Sequence, residues 1–269
     1  MITLLTDFGH QDAYVGVMKG VIVSHCPTTP IVDLTHDIPP QDLWAARFQL
    51  LSVFPYFPPR TVHVVVVDPG VGTDRRALAV RLAGGCYVGP DNGILSGVLE
   101  HTPVLEAVAL TNPAYWRLPQ PSRTFQGRDI FAPVAAHVAN GVPLSALGTA
   151  IAADSLVRLS LPPLQETEQG LTGCLQYIDH FGNAATTIPA ERLGNGPWHL
   201  VWQQQTLPGV GAYNAVAPSA PLALVGSHGF LELAVNQGSA QALLGLAVGD
   251  AVSLVQHPPF DKLRVNVPS

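Results

Sequence analysis

Four acidic turns, each placed where a short apolar run ends, constrain this chain more than any other feature. They read Thr6-Asp7-Phe8-Gly9, Asp33-Leu34-Thr35-His36-Asp37, Asp68-Pro69-Gly70-Val71-Gly72-Thr73 and Gly89-Pro90-Asp91-Asn92-Gly93. The runs before or within them are residues 2–5, 31–32, 62–67 and 87–88. In an open α/β sheet, ligands bind outside the carboxyl ends of the strands. Turns of this kind converging on one edge would build a polar pocket with several carboxylates. Such a pocket suits a ligand with hydroxyls and positive charge better than one with phosphates.

The first part of the chain alternates strand-like and helix-like stretches. A strand over residues 2–6 precedes a helix from 12 to about 24. A strand over 31–34 precedes a helix from 41 to about 54, with Asp42 near its first turn. Strand 62–67 follows. Alternation of this kind implies a parallel sheet with helices on its faces. Runs 77–82 and 87–88 flank a Gly84-Gly85 turn and read as a hairpin-like addition. Run 104–110 is one more strand, and 131–139 an apolar helix starting near Asp129 and ending by Gly141. Residues 161–170, rich in Pro, Glu and Gln, read as a linker. Short β-like runs follow at 171–178, 185–188, 198–202, 222–225, 230–235 and 251–256, with no convincing helix between them. The expected fold class is α/β. An N-terminal α/β domain with a mostly parallel sheet (1–160) is joined by the linker to a C-terminal all-β, barrel-like domain (171–269).

Charge and composition exclude several classes. The formal net charge is -6, and Lys19 and Lys262 are the only lysines. Without a basic run, the chain does not read as a nucleic-acid binder, whose affinity comes from Lys and Arg on phosphates. Cys26, Cys86 and Cys174 are isolated and odd in number, which implies neither a disulfide framework nor zinc spacing. They read as buried thiols in a reducing compartment. The first residues lack a basic n-region and a long apolar stretch, so they do not read as a signal peptide. Apolar runs stop well short of the ~20 residues a membrane helix needs. The expectation is a cytoplasmic protein with no membrane or nucleic-acid partner.

The order of motifs resembles the SAM hydroxide adenosyltransferases, the S-adenosylmethionine hydrolases that share a family with fluorinase and chlorinase. Besides the four turns, the resemblance rests on residues 12–20, on Asp74-Arg75-Arg76, and on Thr124-Phe125-Gln126-Gly127-Arg128-Asp129-Ile130-Phe131. It continues with Asp179-His180-Phe181-Gly182-Asn183 and Gly226-Ser227-His228-Gly229-Phe230-Leu231-Glu232-Leu233-Ala234. Each match alone is weak, but their common order over most of the chain is specific. The resemblance implies a homotrimer with S-adenosylmethionine held at the interface between domains of neighbouring chains. It also implies that Asp7 grips the ribose hydroxyls, and that Asp179 and Asn183 hold the methionine amine and the adenine. Ser227 corresponds to the residue that helps bind the methionine carboxylate, with Gly226 where the family has Asn. Tyr213 is the best match for an aromatic that covers ribose and adenine. His228 stands where the fluorinase has an arginine near the carboxylate, and Asn92 is a further candidate ligand contact.

The chemistry asks for little more. The sulfonium is a good leaving group, so attack at C5′ needs chiefly an aligned nucleophile in a dry site. A water nucleophile needs orientation and a proton acceptor. Asp68 is the candidate, with Arg75 fixing and ionising it. The glycines Gly70 and Gly72 would let backbone approach a ligand. The resemblance implies an Asp-Arg-His triad, but Gln126 occupies the histidine position. Its amide donates and accepts hydrogen bonds yet cannot titrate near neutrality. Asp68 also disfavours a halide nucleophile, since like charges ~4 Å apart repel by about 4 kcal/mol at intermediate dielectric. The short turn between Arg81 and Gly89 lacks the fluorinase's extra loop, whereas Gly127 suits chlorinase and hydrolase alike.

Simpler readings stand beside these. Taken alone, Asp7 also reads as a turn cap, Asp68 as an Asx turn, and Arg76 as a surface ion-pair partner, while the full series of motifs favours ribose binding for Asp7 and catalysis for Asp68. Asp91-Asn92-Gly93 is a turn signal in itself, Asp179 before His180 is compatible with turn chemistry, and Arg128 with Asp129 reads as a structural pair. His36, His180 and His228 fit no zinc spacing, so no metal or other cofactor is expected. The competing functions are a halide-dependent 5′-transferase of chlorinase type and a non-catalytic S-adenosylmethionine or adenosine binder.

Overall fold

Runs rich in β-branched residues form the central strands Ile2–Thr6 and Val62–Val66 of the first unit, and their complete burial reflects helices packed on the sheet. The computed structural model describes residues 1–167 and 170–256. Positions 168–169 of the expected linker and 257–269 of the expected β-domain lie outside the described residues. The chain divides into two units, Met1–Ser160 and Leu161–Ser269.

The first unit runs β1 (Ile2–Thr6), α1 (Tyr14–His25), β2 (Ile31–Thr35), α2 (Leu43–Val53), β3 (Val62–Val66), β4 (Ala77–Leu82), β5 (Gly85–Pro90), α3 (Ser96–Leu99), β6 (Val104–Ala109), α4 (Ala132–Ala139) and β7 (Thr149–Ala150). Its strands lie in the order β2-β1-β3-β5-β4-β6-β7. Ile2 and Leu4 share a core with Val62, Val64 and Val66, with Met18 and Ile22 of α1, and with Ala132, Ala135 and Ala136 of α4. Cys26, Cys86 and Cys174 are buried and unpaired.

The α/β class holds, with a sheet that is partly rather than mostly parallel. β1 pairs parallel with β2 and β3, and β3 parallel with β5. β4 runs antiparallel to β5 and β6, and β6 antiparallel to β7. The two-residue turn Ala83-Gly84, one residue before the expected Gly84-Gly85 turn, is the physical reason. It closes a hairpin, whereas a parallel crossover needs a dozen or more residues. This reversal matters for the site. The carboxyl ends of β1, β3 and β5 share one edge, and Ala77 at the start of β4 pairs with Pro90 at that same edge. Asp7, Asp68 and Asp91 leave the sheet there, and Arg75 and Arg76 return to it. Asp33 differs from the expected turn position, since it lies inside β2 and takes the Lys19 ammonium at 2.6 Å.

The second unit comprises β8 (Gln165–Thr167), β9 (Gly170–Ile178), β10 (Ala184–Pro189), β11 (Trp198–Trp202), β12 (Gln205–Pro208), β13 (Pro221–Val225), β14 (Phe230–Val235), α5 (Ala240–Leu244) and β15 (Ala251–Gln256). All its named strand pairs are antiparallel, in the order β12-β11-β15-β9-β10-β14-β13. The sheet nearly closes into a barrel, because Val210 N–H just beyond β12 donates to the Ala223 carbonyl of β13 at 2.8 Å. Leu175, Leu200, Leu231, Leu233 and Leu254 point into its core. Three details depart from the sequence reading. Part of the expected linker is strand β8, which pairs with β9. β12 escaped notice because it is short and polar. The helix α5 does intervene, capped by the Ser239 hydroxyl, which accepts from Ala242 N–H at 3.1 Å, and stopped by Gly245 at φ 73°.

Two predictions follow from these elements. The Asp42 carboxylate caps α2, accepting from Ala45 N–H at 2.9 Å. Asp42→Ala therefore lowers the urea-unfolding free energy by about 1 kcal/mol. Burial pushes the His63 imidazole from its ordinary 6.5 down to about 4. The unfolded chain takes up this proton first, so stability is lost as pH falls from about 6.5 toward 4, by on the order of 3 kcal/mol at most. In His63→Gln, which does not titrate, unfolding free energies measured across that range lose this component of the slope.

Candidate active site

At the carboxyl edge of the first sheet lies a cleft of about 390 Å³, all of whose lining residues belong to the first unit. Asp7, Asp68 and Gln126 supply polar groups to its wall, with Gln41 and Thr124 beside them. Phe8, Tyr14 and Phe125 form an aromatic side, with ring centroids 5.2 to 5.9 Å apart in tilted and edge-on pairs. An apolar cleft with a few convergent polar groups is the usual form of a small-molecule site.

Asp68 is held by a two-pronged clamp. Arg75 Nε donates to Asp68 Oδ1 at 2.9 Å, and Arg75 Nη2 donates to Asp68 Oδ2. The same Nη2 also donates to Gln126 Oε1. The side chains of Arg75 and Asp68 are 11% and 5% exposed, so the pair is shielded from water that would weaken it. Arg75 additionally stands 5.5 Å from the Phe131 ring centroid. A guanidinium only donates, so the amide orientation of Gln126 is fixed by chemistry, with its oxygen toward Arg75. Its NH2 group is then the end that can donate to a ligand or water. Three residues from two loops thus form one polar unit on the cleft.

The loops that carry this unit are fastened together. Gly72 has φ 78°, and any Cβ there would collide with the Arg123 carbonyl. Arg123 Nη2 in turn donates to the Gly72 carbonyl at 3.0 Å. Gly72 therefore serves contact between the 68–73 and 123–127 loops, where the sequence suggested approach to a ligand. At Gly70 a Cβ would stand 3.3 Å from Arg75 Cγ, so that glycine makes room for the arginine stem.

Asp7 turns toward the α2 side of the cleft rather than capping its own turn. Its Oδ2 accepts from Gln41 N–H at 2.8 Å. Gln41 has φ 66°, unusual for a residue with a side chain, and this conformation accompanies the N–H contact to Asp7. Thr6 orients the same turn, taking Phe8 N–H at 3.2 Å and meeting His36 Nδ1 at 2.8 Å. Asn92 spends its amide on the backbone, since Nδ2 donates to the Val67 carbonyl at 2.8 Å. It braces the residue before Asp68. Asp91 accepts from Arg76 Nε at 2.8 Å and from Val157 N–H at 2.9 Å. Arg128 grips Asp129 through two contacts of 2.7 Å, and that hydrogen bonding holds the Asp129 carboxyl below its usual range.

The remaining candidates lie in the second unit and fall into two groups. Asp179 Oδ1 accepts from Phe181 N–H at 2.9 Å and Asn183 N–H at 2.8 Å, and Oδ2 accepts from Asn183 Nδ2 at 3.3 Å. This closes the β9–β10 turn and sets both side chains on one loop. Tyr213 Oη donates to Glu232 Oε1 at 2.9 Å, and His228 Nε2 meets Glu232 Oε2 at 3.2 Å. Burial, followed by the Glu232 hydrogen bond, pushes the Tyr213 phenol up to about 12. Ser227 is exposed on the turn between β13 and β14.

Sequence reasoning singled out polar residues and passed over Phe8, Tyr14, Phe125 and Gln41. The aromatics lie inside motifs already noted, but nothing in their spacing says that three rings from two loops and a helix meet. Glu232 lies within one of the motifs, and the motif alone assigns it no role. Its signal is a charged residue in an otherwise apolar strand. Among the described residues, no group of three or more His, Cys, Asp or Glu side chains is placed to hold a metal ion, and no helix is long and apolar enough to cross a membrane.

Known proteins share this architecture and sequence. Family models match at residues 2–148, the SAM hydroxide adenosyltransferase N-terminal domain, and 173–253, the corresponding C-terminal domain. The chain is 41% identical to the (R)-S-adenosyl-L-methionine hydrolase of Salinispora tropica, over 93% of this chain and 95% of that protein. It is 40% identical to the enzyme of the same name from Thermus thermophilus, over 94% and 99%. A fluorinase from Nocardia brasiliensis is more distant, at 30% identity over 94% and 96%. Among solved structures, an uncharacterized conserved protein from Thermotoga maritima superimposes with a TM-score of 0.88 at 35% identity, covering 94% of this chain and 100% of that one. Two matching domains and relatives aligned along nearly their whole length lead to one conclusion: the chain belongs to the SAM hydroxide adenosyltransferase family.

Proposed function

We propose that the protein hydrolyses S-adenosyl-L-methionine to adenosine and L-methionine. The observation that carries this reading is the Asp68 carboxylate, clamped by Arg75 on the wall of the cleft. Water attacks ribose C5′ in line with the C–S bond. The new bond is C5′–O, the C–S electron pair returns to sulfur, and methionine leaves as a neutral thioether. One water proton is released, and Asp68 orients the water and accepts that proton late in the step. Arg75 keeps the carboxylate ionised and fixed. Gln126, its oxygen taken by Arg75, donates from its NH2 to the water oxygen. The sulfonium supplies its own driving force as a leaving group, so the reaction requires no metal or redox cofactor.

In this reading Asp7 holds the ribose hydroxyls through its free oxygen, within the aromatic wall of the cleft. Asp179, Asn183, Tyr213 and Ser227 complete substrate binding, with His228 acting through Glu232 and Asn92 acting on the fold behind Asp68. The active form is a cytoplasmic homotrimer with sites at subunit interfaces. The hydrolases reported above are named for the (R) compound. Because the amino-acid centre is already specified as L, that label refers to the pyramidal sulfur. Both sulfur epimers are therefore the substrates to test.

Four measurements check the proposal. Purified protein given each epimer releases adenosine, resolved by chromatography, and a preference for the (R) form is expected. Adding chloride yields no chlorinated nucleoside, and its appearance would establish the halide-transfer alternative instead. Asp68→Ala lowers kcat by about 10²- to 10⁴-fold while adenosine binding stays close to wild type, and its melting temperature falls because the shielded Arg75 loses its partner. Gln126→His, which introduces a titratable acceptor beside Arg75, raises kcat above that of the natural chain. An unchanged or lower kcat there would remove Gln126 from the water-positioning role.

A further inference from the structure

Glu232 is a carboxylate in the middle of β14, only 6% exposed, opposite Leu224 of β13 and Ala185 of β10. A buried charge in an apolar strand is costly unless each oxygen is satisfied. Here the two oxygens serve two different side chains. Oε1 accepts from the Tyr213 hydroxyl at 2.9 Å, and Oε2 faces His228 Nε2 at 3.2 Å. Phe230 N–H donates to His228 Nδ1 at 3.2 Å, which makes Nδ1 an acceptor and puts the proton on Nε2, aimed at Glu232. Both ring nitrogens are thus engaged within the protein. His228 is not free to act as the direct carboxylate donor that the sequence suggested.

Gly226 completes the arrangement. A Cβ at that position would lie 2.5 Å from His228 Nε2 and 3.0 Å from Glu232 Oε2. Only glycine leaves space for the imidazole to fold back onto the strand. Tyr213, by contrast, keeps 43% of its surface exposed while its hydroxyl end is tied down. An exposed aromatic ring anchored at its polar tip is a preorganised stacking surface, because little side-chain freedom remains to be lost on binding.

We propose that Glu232 is a positioning residue for the nucleoside part of the substrate, holding Tyr213 and His228 in their binding geometry. This rests on the substrate reading given above. Glu232 itself touches neither substrate nor the reacting atoms. It acts through the Tyr213 ring, and Gly226 is the sequence feature that permits the His228 arm.

The test uses adenosine binding by calorimetry, which does not require turnover, on the full-length wild type, Glu232→Met, Tyr213→Phe and the double variant. Glu232→Met and Tyr213→Phe each weaken adenosine binding by about tenfold. The double variant is no weaker than the worse single variant, because both changes break one link. With S-adenosylmethionine, KM rises by a similar factor and kcat stays within about twofold, a split that general loss of structure does not produce. Wild-type affinity in Glu232→Met overturns the proposal, and so does full additivity in the double variant, which would mean that the Tyr213 hydroxyl meets the ligand itself. Should Glu232→Met fail to fold, Tyr213→Phe decides alone, and unchanged affinity there overturns the proposal. A wild type that binds no adenosine overturns it as well. A wild type that binds adenosine but releases none from S-adenosylmethionine sinks the hydrolase reading and leaves the binding comparison intact.

Discussion

The Arg75 guanidinium organises the first unit's cleft. It joins Asp68, seven residues earlier, to Gln126, 51 residues later, through one planar group. Removing such a cation would leave a nearly buried carboxylate without its partner, a costly state. The rest of the local architecture serves to bring this group into place. β3 delivers Asp68 to the sheet edge, and antiparallel β4 starts at that edge immediately after Arg75 and Arg76. The connection between them crosses over the carboxyl end of β5. Had β4 run parallel to its neighbours, its first residue would sit at the opposite edge and the clamp could not form.

Tight backbone contacts hold this geometry. Gly72 lets two loops touch where any side chain would collide, and Asn92 ties the end of β3 to the turn after β5. Gln41 adopts a left-handed conformation at the α2 entrance and gives its N–H to Asp7. Each feature has a cost, in unusual dihedral angle or in forbidden substitution. They gather around the cleft, which is where natural proteins retain such strain. The second unit follows the same logic with different parts. Asp179 organises its own turn through three hydrogen bonds, and Glu232 distributes its two oxygens between Tyr213 and His228.

Much of this was legible in the sequence for identifiable reasons. Strands such as Ile2–Thr6 and Phe230–Val235 are continuous apolar or alternating runs bounded by turn residues, so their positions follow from periodicity. The glycine pair at 84 and 85 marked the hairpin, whose turn is Ala83-Gly84. The pairing of Asp68 with Arg75 follows from complementary charges on one connection. Other features were not legible. β12 and α5 are short, and α5 depends on a Ser239 cap that resembles any loop serine. The partner of Asp7 proved to be a backbone N–H, a donor that every residue except proline carries. Gly226 read as a missing asparagine, whereas its function is to make space for an imidazole two residues later.

The sequence by itself determined the elements, the order of the acidic turns and the types of chemical group available, because these depend on local periodicity and side-chain chemistry. The tertiary structure alone decided which groups meet. Direction of β4, closure of the second sheet by Val210 on Ala223, and the sharing of one guanidinium between Asp68 and Gln126 are long-range pairings. They are set by how strands align and pack, and residues distant along the chain carry no local mark of the neighbours they acquire on folding.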